Sequence, residues 1–299
     1  MIIELKDTSS REISSALGKA RRGAGGRGLV LTLIIVTQEE DHDAVIEAAR
    51  ASAMAHPSRV IVATGVDADE PKLDARIQVG DGLPGDLVVL NVHGSLRDHA
   101  DSLLRPLLLP DSPTIVWWPN EGPDDLAEDP VGRLGDRRIT DAAGCDDPQE
   151  ALRHRARNHT PGDTDLTWTR LTRWRALLVA ALEQVQQPVT AASVESAPDN
   201  APASLLAAWL SLKLGIPVER HDGDSVGVSQ VKLTTGEGDI IIERQGDTTA
   251  TYSVPGQPPR KVSLSRRPLT DLLTEELERM DADEVFEATL EHLLQCKER

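Results

Sequence analysis

The sequence predicts an α/β fold in two parts: an N-terminal Rossmann-like, mostly parallel sheet and a C-terminal α+β domain containing an antiparallel sheet. Three observations lead there. Residues 29–36 (LVLTLIIV), 59–64 (RVIVAT) and 86–92 (DLVVLNV) are continuous apolar runs separated by helical patterns. Strands apolar on both faces need helices on both sides, which is the signature of a buried parallel sheet. The last third instead holds short alternating strands joined by GEG and QGD, which read as hairpin turns. Finally, only five Trp, one Tyr and one Phe occur in 299 residues, so both cores must be built from Leu, Val, Ile and Ala. The expected division is 1–145 for the α/β domain, 146–187 for connecting helices and 188–299 for the α+β domain.

In chain order, residues 1–18 make a short strand and a short helix. RRGAGGRG follows at 21–28, where Gly23, Gly25 and Gly28 satisfy GxGxxG. That fingerprint must follow a strand and open a helix, whereas here it precedes a strand, so it reads as a loop. Residues 41–55 place Ala44, Val45, Ala48, Ala49, Ser52 and Ala53 on one helical face, and Pro57 stops them. Strands are expected at 59–64, 75–79 and 86–92, a helix at 96–105, and a last strand at 114–118. That strand ends in Trp117 and Trp118. Successive strand residues point to opposite faces, so one indole is expected to pack inward and the other to face a groove, a second domain or a partner. The alternative is that both plug a domain junction. An acidic loop then leads to Arg133, Arg137 and Arg138.

Residues 147–158 form a polar helix. A long connecting helix opens at Thr164, with Leu166, Leu171, Trp174, Leu177, Leu178 and Leu182 on one face and Trp168, Arg170, Arg173 and Arg175 on its first half. From Pro188 the pattern gives a strand at 189–195, a turn, and an amphipathic helix at 203–214 containing Trp209 and capped by Gly215. Strands follow at 217–221, 228–234, 239–244, 249–254 and 261–264, and helices at 268–280 and 282–294.

The formal net charge of −17 argues against a nucleic-acid or anionic-membrane partner. No apolar run is long enough to span a bilayer, and the first residues mix in charge where a signal peptide would be apolar. A cytoplasmic protein is expected. Cys145 and Cys296 lie far apart without CxxC spacing and read as reduced thiols, with no disulfide framework or zinc site. Beyond the carboxyl ends of the strands stand Thr37-Gln38-Glu39, Thr64-Gly65, the Trp117-Trp118 corner, and His93-Gly94-Ser95 with Asp98 and His99. They show no GxSxG elbow, and the eight histidines show no HExxH. No catalytic residue, cofactor site or metal site is therefore assigned. One segment departs from the acidic average: residues 131–175 hold nine Arg, no Lys and seven Asp or Glu, a net of +2. Arginine forks suit carboxylate pairing at packed surfaces, or these arginines neutralise the chain's own acidic surface.

The strings LLLPDSPTIVWWP, DPVGRLGDRRITDA and PGDTDLTWTRLTRWRALL resemble the bacterial glucose-6-phosphate dehydrogenase assembly protein family, OpcA. The resemblance runs from about Leu29 through the Trp209 helix to the C-terminal helices. It implies a non-enzymatic, allosteric effector that binds glucose-6-phosphate dehydrogenase and promotes its active assembly, sending carbon into the oxidative pentose phosphate pathway. The family supplies no agreed catalytic residues. The positions carried over, as structural or contact residues, are Trp117, Trp118, Asp129, Arg133, Arg137, Arg138, Asp165, Trp168, Thr169, Arg170, Trp174 and Arg175. The alternative is a metabolite- or nucleotide-binding enzyme or sensor using the carboxyl edge of the N-terminal sheet.

Overall fold

The computed structural model describes residues 1–23, 28–38, 42–80, 82–185 and 187–296. In order, the first half has β1 (Ile2–Leu5), α1 (Ser10–Gly23), β2 (Leu31–Gln38), α2 (His42–Ala55), β3 (Ser58–Val66), β4 (Lys72–Val79), β5 (Asp86–His93), α3 (Ala100–Leu104), β6 (Thr114–Trp117) and β7 (Arg137–Thr140). Then come α4 (Pro148–Arg157), β8 (Asp163–Asp165), α5 (Leu166–Arg170), α6 (Thr172–Leu182), β9 (Val189–Ser196) and α7 (Ala201–Leu214). The chain continues with β10 (Val218–Asp222), β11 (Val228–Thr235), β12 (Gly238–Gln245), β13 (Thr249–Ser253), β14 (Arg260–Ser263), α8 (Leu269–Glu276) and α9 (Glu284–Gln295). Of the GxGxxG segment, Gly23 closes α1 and Gly25 lies outside the described residues.

Four expectations need correction. The helix expected at 96–105 is α-helical only over Ala100–Leu104, with tighter 3-10 turns at Gly94–His99 and Arg105–Leu107. Pro106 has no N–H to continue the ladder. The long helix expected from Thr164 begins as strand β8 and breaks at Leu171, whose φ of −89° and ψ of −7° separate α5 from α6. Strand β6 is not the last of its sheet, because β7 and β8 extend it. Helix α7 is not amphipathic: Ala203 through Leu210 are all buried, a stretch whose one hydroxyl is that of Ser204, and the charged Lys213 comes only in the last turn.

The chain divides into two units. The first comprises Met1–Asp141, Thr160–Thr164 and Leu269–Ala282; the second comprises Ala142–His159, Asp165–Pro268 and Asp283–Arg299.

In the first unit the strands lie in the order β1-β4-β5-β3-β2-β6-β7-β8. The pairs β2–β3, β3–β5, β2–β6 and β6–β7 are parallel, while β4 runs antiparallel to β5 and β1 antiparallel to β4. One face of the sheet presents Ile34, Ile61, Val88, Val116 and Trp118 to Ile13 and Leu17 of α1 and to Leu104 and Leu107. The other face carries Leu33, Ile35, Val62 and Trp117, all fully buried. Helix α2 packs against β2 and β3 on the sheet, and α8 packs against α2. At the amino ends of the strands, buried Asp86 accepts from Arg59 Nε (3.2 Å) and Nη2 (3.1 Å) and pairs with Arg21 at 3.3 Å, while Arg59 Nη1 donates to the Leu107 carbonyl at 2.8 Å. Burial pulls the Arg59 pKa below its ordinary value, and the Asp86 carboxylate opposes that shift.

In the second unit the order is β10-β9-β11-β12-β13-β14, antiparallel except for β10 beside β9. Its buried side packs Val194, Val231, Leu233, Ile240 and Ile242 in one cluster with Trp168, Trp174, Leu205, Trp209, Phe286 and Leu290. Helix α7 enters through an Asn200 cap on the Ala203 N–H (2.9 Å), with Pro202 in the first turn, and leaves through left-handed Gly215 at φ 69°. Helix α9 starts at Asp283, whose Oδ1 accepts from the N–H groups of Val285 and Phe286, both at 3.0 Å. The same carboxylate, through Oδ2, accepts the indole N–H of buried Trp168 at 2.9 Å.

One side chain thus caps a helix and satisfies a buried donor. Losing the cap costs about 1 kcal/mol, and an orphaned buried N–H costs about 1–3 kcal/mol more. Asp283→Ala is therefore expected to destabilise the protein by roughly 2–4 kcal/mol in denaturant unfolding, and Asp283→Asn, whose amide keeps one acceptor oxygen but turns an NH2 donor toward the other partner, by roughly half as much. Equal losses in the two variants would remove the double role.

Candidate functional site: the tryptophan and arginine signature

The signature residues are mostly interior. Trp117 and Trp118 are both buried, at 0% and 4% exposure. They do point to opposite faces, but this sheet is covered on both, so neither indole reaches a groove. The Trp117 indole N–H finds no acceptor among the described residues. Trp118 lies at the base of the loop formed by residues 119–136.

That loop is built from carboxylate caps. Asp125 Oδ1 accepts from the N–H groups of Ala127 and Glu128, both at 3.0 Å. Asp129 Oδ1 repeats the arrangement one turn later, accepting from Val131 and Gly132, both at 2.9 Å. Leu126, Val131 and Leu134 turn inward with Trp118. Gly132 fits so tightly that a Cβ there would stand 1.8 Å from the Leu126 carbonyl oxygen. At the far end, Asp136 donates its N–H to the Thr114 carbonyl (2.7 Å) and accepts the Thr114 N–H on Oδ2 (2.8 Å), which ties the loop to the start of β6. Glu121, Asp124, Glu128 and Arg133 stay exposed, with Arg133 pairing with Glu128.

Arg137 and Arg138 follow in β7 and are buried at 3% and 7% exposure. Arg137 Nη2 donates to Glu276 Oε1 of α8 at 2.8 Å, and Nη1 donates to the Arg279 carbonyl. Arg138 Nε pairs with Asp163, Nη2 donates to the Pro161 carbonyl at 2.9 Å, and Nη1 donates to the Gly135 carbonyl at 3.3 Å. Gly162 makes that approach possible: its φ is +94° and a Cβ there would lie 3.3 Å from Arg138 Nη2. In the second unit, Asp165 caps α5 by accepting the Thr167 N–H on Oδ1 (2.8 Å) and takes the Ala142 N–H on Oδ2 (2.9 Å). The Arg175 guanidinium stacks over Trp168 at 3.5 Å, Arg244 stands over Trp174 at 5.5 Å, and the Thr169 carbonyl accepts from Arg267 at 3.4 Å. Arg170 is half-buried. Sequence reasoning missed the partner carboxylates Glu276, Asp163 and Asp283. An Asp before the apolar pattern of α9 is a helix-start signal that could have marked the last of them.

The carboxyl edge of the first sheet offers a second concavity. The chain leaves β2 toward β3 and β5 and returns to β6 on the other side, so its switch point lies between β2 and β6. Glu39, which follows β2 at this point, lies outside the described residues. Beside β3 and β5 is a cleft of about 550 Å³ lined by Asp67, Ala68, Asp69, Gly94, Ser95, Arg97 and Asp98. Arg97 is engaged by Asp67 at 2.6 Å. His93 Nε2 stands 3.7 Å from Asp74 Oδ2, and no hydrogen bond joins His93 to Ser95 among the described residues. Burial pushes the Asp74 carboxyl up, but the Lys72 ammonium, the Asp7 N–H and the Lys6 charge outweigh it and hold it below the ordinary carboxylate range. No group of three or more His, Cys, Asp or Glu suited to a metal ion occurs among the described residues. Neither Cys145 nor Cys296 is in a disulfide, and burial raises the Cys296 pKa. No described helix is long and apolar enough to cross a membrane.

The Arg137–Glu276 pair generates a stability prediction. Removing one member of a buried pair leaves an uncompensated charge, at a cost of about 3–5 kcal/mol, whereas replacing both with apolar groups is often neutral. Glu276→Leu is expected to lower the melting temperature by roughly 2–4 °C per kcal/mol lost, and Arg137→Met with Glu276→Leu to regain most of the loss. A double variant as unstable as the single one would show that the pair is not the source.

Residues 49–157 match the family described as the glucose-6-phosphate dehydrogenase subunit N-terminal domain, and residues 161–290 match its C-terminal domain. A comparison with curated proteins finds no significant match. Among solved structures, the chain is similar to an oxidoreductase from Sinorhizobium meliloti, at 10% identity and a TM-score of 0.40, over 88% of this chain and 87% of that one. It is also similar to an NAD binding oxidoreductase from Klebsiella pneumoniae, at 10% identity and a TM-score of 0.43, over 88% and 94% of the two chains. Likenesses this distant say nothing of the chemistry here. The two family matches take in both the Trp117–Trp118 strand with its arginine loop and the Trp168 helix, and the chain belongs to the OpcA family of glucose-6-phosphate dehydrogenase subunits.

Proposed function

We propose that this protein is a non-catalytic, cytoplasmic subunit that binds glucose-6-phosphate dehydrogenase and promotes its active assembly, and so regulates entry into the oxidative pentose phosphate pathway. The observation that carries the reading is the pair of family matches, which together span residues 49–157 and 161–290. The signature supports a division of labour. Its buried members, Trp117, Trp118, Arg137, Arg138, Asp165, Trp168, Thr169 and Trp174, build the interior of each unit, and the exposed loop carrying Arg133 is a contact surface. A loop braced by two carboxylate caps and by Asp136 loses little conformational entropy when it docks.

The test pairs affinity with folding. Purified chain and dehydrogenase are mixed, and both Kd and dehydrogenase turnover are measured. Arg133→Glu, at an exposed side chain, is expected to leave the melt unchanged, raise Kd about tenfold (roughly 1.4 kcal/mol) and reduce activation. Unchanged binding would remove the loop from the interface. No binding by the parent chain would sink the proposal as a whole.

The carboxyl-edge cleft favours one other reading, a metabolite sensor. NADP, glucose 6-phosphate and ATP are the probes. A ligand bound only by the native state must raise the melting temperature, and flat responses to all three would dismiss this reading.

A further inference from the structure

The six-stranded sheet of the second unit ends on two open edges, β10 and β14. Their chemistry differs. Strand β10 reads VERHD, of mixed sign, whereas β14 reads RKVS and carries only positive charge. Arg260, Lys261 and Ser263 are exposed. The stretch from Gln245 to Pro268 contains Arg260, Lys261, Arg266 and Arg267 against Asp247 alone, a net of +3 in a chain of net −17.

Several exposed cations elsewhere on this protein are matched. Arg133 pairs with Glu128, Arg97 with Asp67, Arg157 with Glu150, Lys232 with Asp239 and Arg266 with Asp247. The two cations of β14 are not. Arg260 donates only to the amide oxygens of Gln184 (3.2 Å) and Gln257 (2.8 Å) and leans over the Tyr252 ring at 5.6 Å. Lys261 has no carboxylate partner among the described residues.

The backbone register shows what this edge offers. Strand β14 pairs antiparallel with β13 through Thr249↔Ser263, Ala250↔Val262, Thr251↔Lys261 and Tyr252↔Arg260. Just beyond, the Leu264 N–H donates to the Thr248 carbonyl at 3.0 Å. Hydrogen-bonded and non-bonded pairs alternate along an antiparallel ladder. Val262 and Arg260 therefore turn their backbone groups toward β13, as Leu264 does. Lys261 and Ser263 turn theirs outward, presenting donors and acceptors in strand spacing beside two uncompensated cations.

We propose that the outer edge of β14 is a docking strand for an extended acidic segment of a partner protein, which adds to the sheet through the backbone of Lys261 and Ser263 and is selected by the charges of Arg260 and Lys261. The identification of that partner as the dehydrogenase rests on the function proposed above; the chemistry of the edge does not.

The test uses the full chain and a fluorescein-labelled ten-residue peptide alternating glutamate and valine, with a lysine–valine peptide as control. Fluorescence anisotropy is expected to show the glutamate peptide binding at least about tenfold tighter than the control, and weakening as salt rises. Arg260→Glu with Lys261→Glu reverses the edge charge and leaves the backbone intact. Ser263→Pro removes one outward N–H without touching a bond to β13. Each is expected to raise Kd about tenfold with an unchanged melt. Equal binding of the two peptides, or binding indifferent to both variants, would overturn the proposal and leave the charges as guards against unwanted strand pairing. The dehydrogenase itself is the second arm. Weaker binding to the charge-reversed chain supports the edge as its docking strand, and equal binding to parent and variant overturns that assignment. If the parent does not bind the dehydrogenase at all, the proposed function fails, and the peptide titration alone decides the edge.

Discussion

The first unit depends on one constraint: a guanidinium taken out of water must meet a carboxylate. Strand β7 places two arginines in succession inside the sheet, and each recruits a distant piece of chain. Arg138 holds the 160–164 segment through Asp163 and the Pro161 carbonyl, and Arg137 holds α8 through Glu276 and the Arg279 carbonyl. Those two segments are the parts of the C-terminal half that group with the first unit. Buried pairs of this kind seldom add net stability over apolar packing, but a wrong partner leaves a bare charge. Their effect is therefore to specify which segment lies beside β7, and that explains an Arg-Arg pair in a strand that Val or Ile would fill more cheaply.

The second unit uses carboxylates in the same way, with one side chain closing two accounts. Asp165 caps α5 and takes the Ala142 N–H. Asp283 caps α9 and takes the Trp168 indole N–H. The Trp168 ring also meets the Arg175 guanidinium, 3.5 Å from its centroid, and a tilted Phe286 ring with centroids 5.6 Å apart. With so few aromatic rings, the core relies on these directed contacts to fix positions that apolar packing alone would leave degenerate.

This accounts for the signature being at once distinctive and mostly hidden. Removing one partner of a buried charge or donor leaves the other unsatisfied, so a single substitution there is costly. What they support is a surface: the braced loop at 119–136 on one unit, and an antiparallel sheet whose β14 edge is open on the other. Under the function proposed above, these rigid surfaces carry the partner contacts.

The sequence by itself determined the elements and the two sheet types. Period-two and continuous apolar runs located the strands of both sheets other than β7 and β8 to within a few residues, and Gly215 and the hairpin turns marked their boundaries. It also carried the family signature, Trp117 to Arg175, in unusual strings. Only the tertiary structure decided that β4 runs antiparallel, that β7 and β8 extend the first sheet, and that α8 groups with the first unit. It also decided that both tryptophans are interior. The physical reason is that periodicity reports which residues share a face and nothing about what covers that face. An Arg-Arg pair reads as surface until its carboxylates are found, and here they stand 139 residues away for Arg137 and 25 for Arg138.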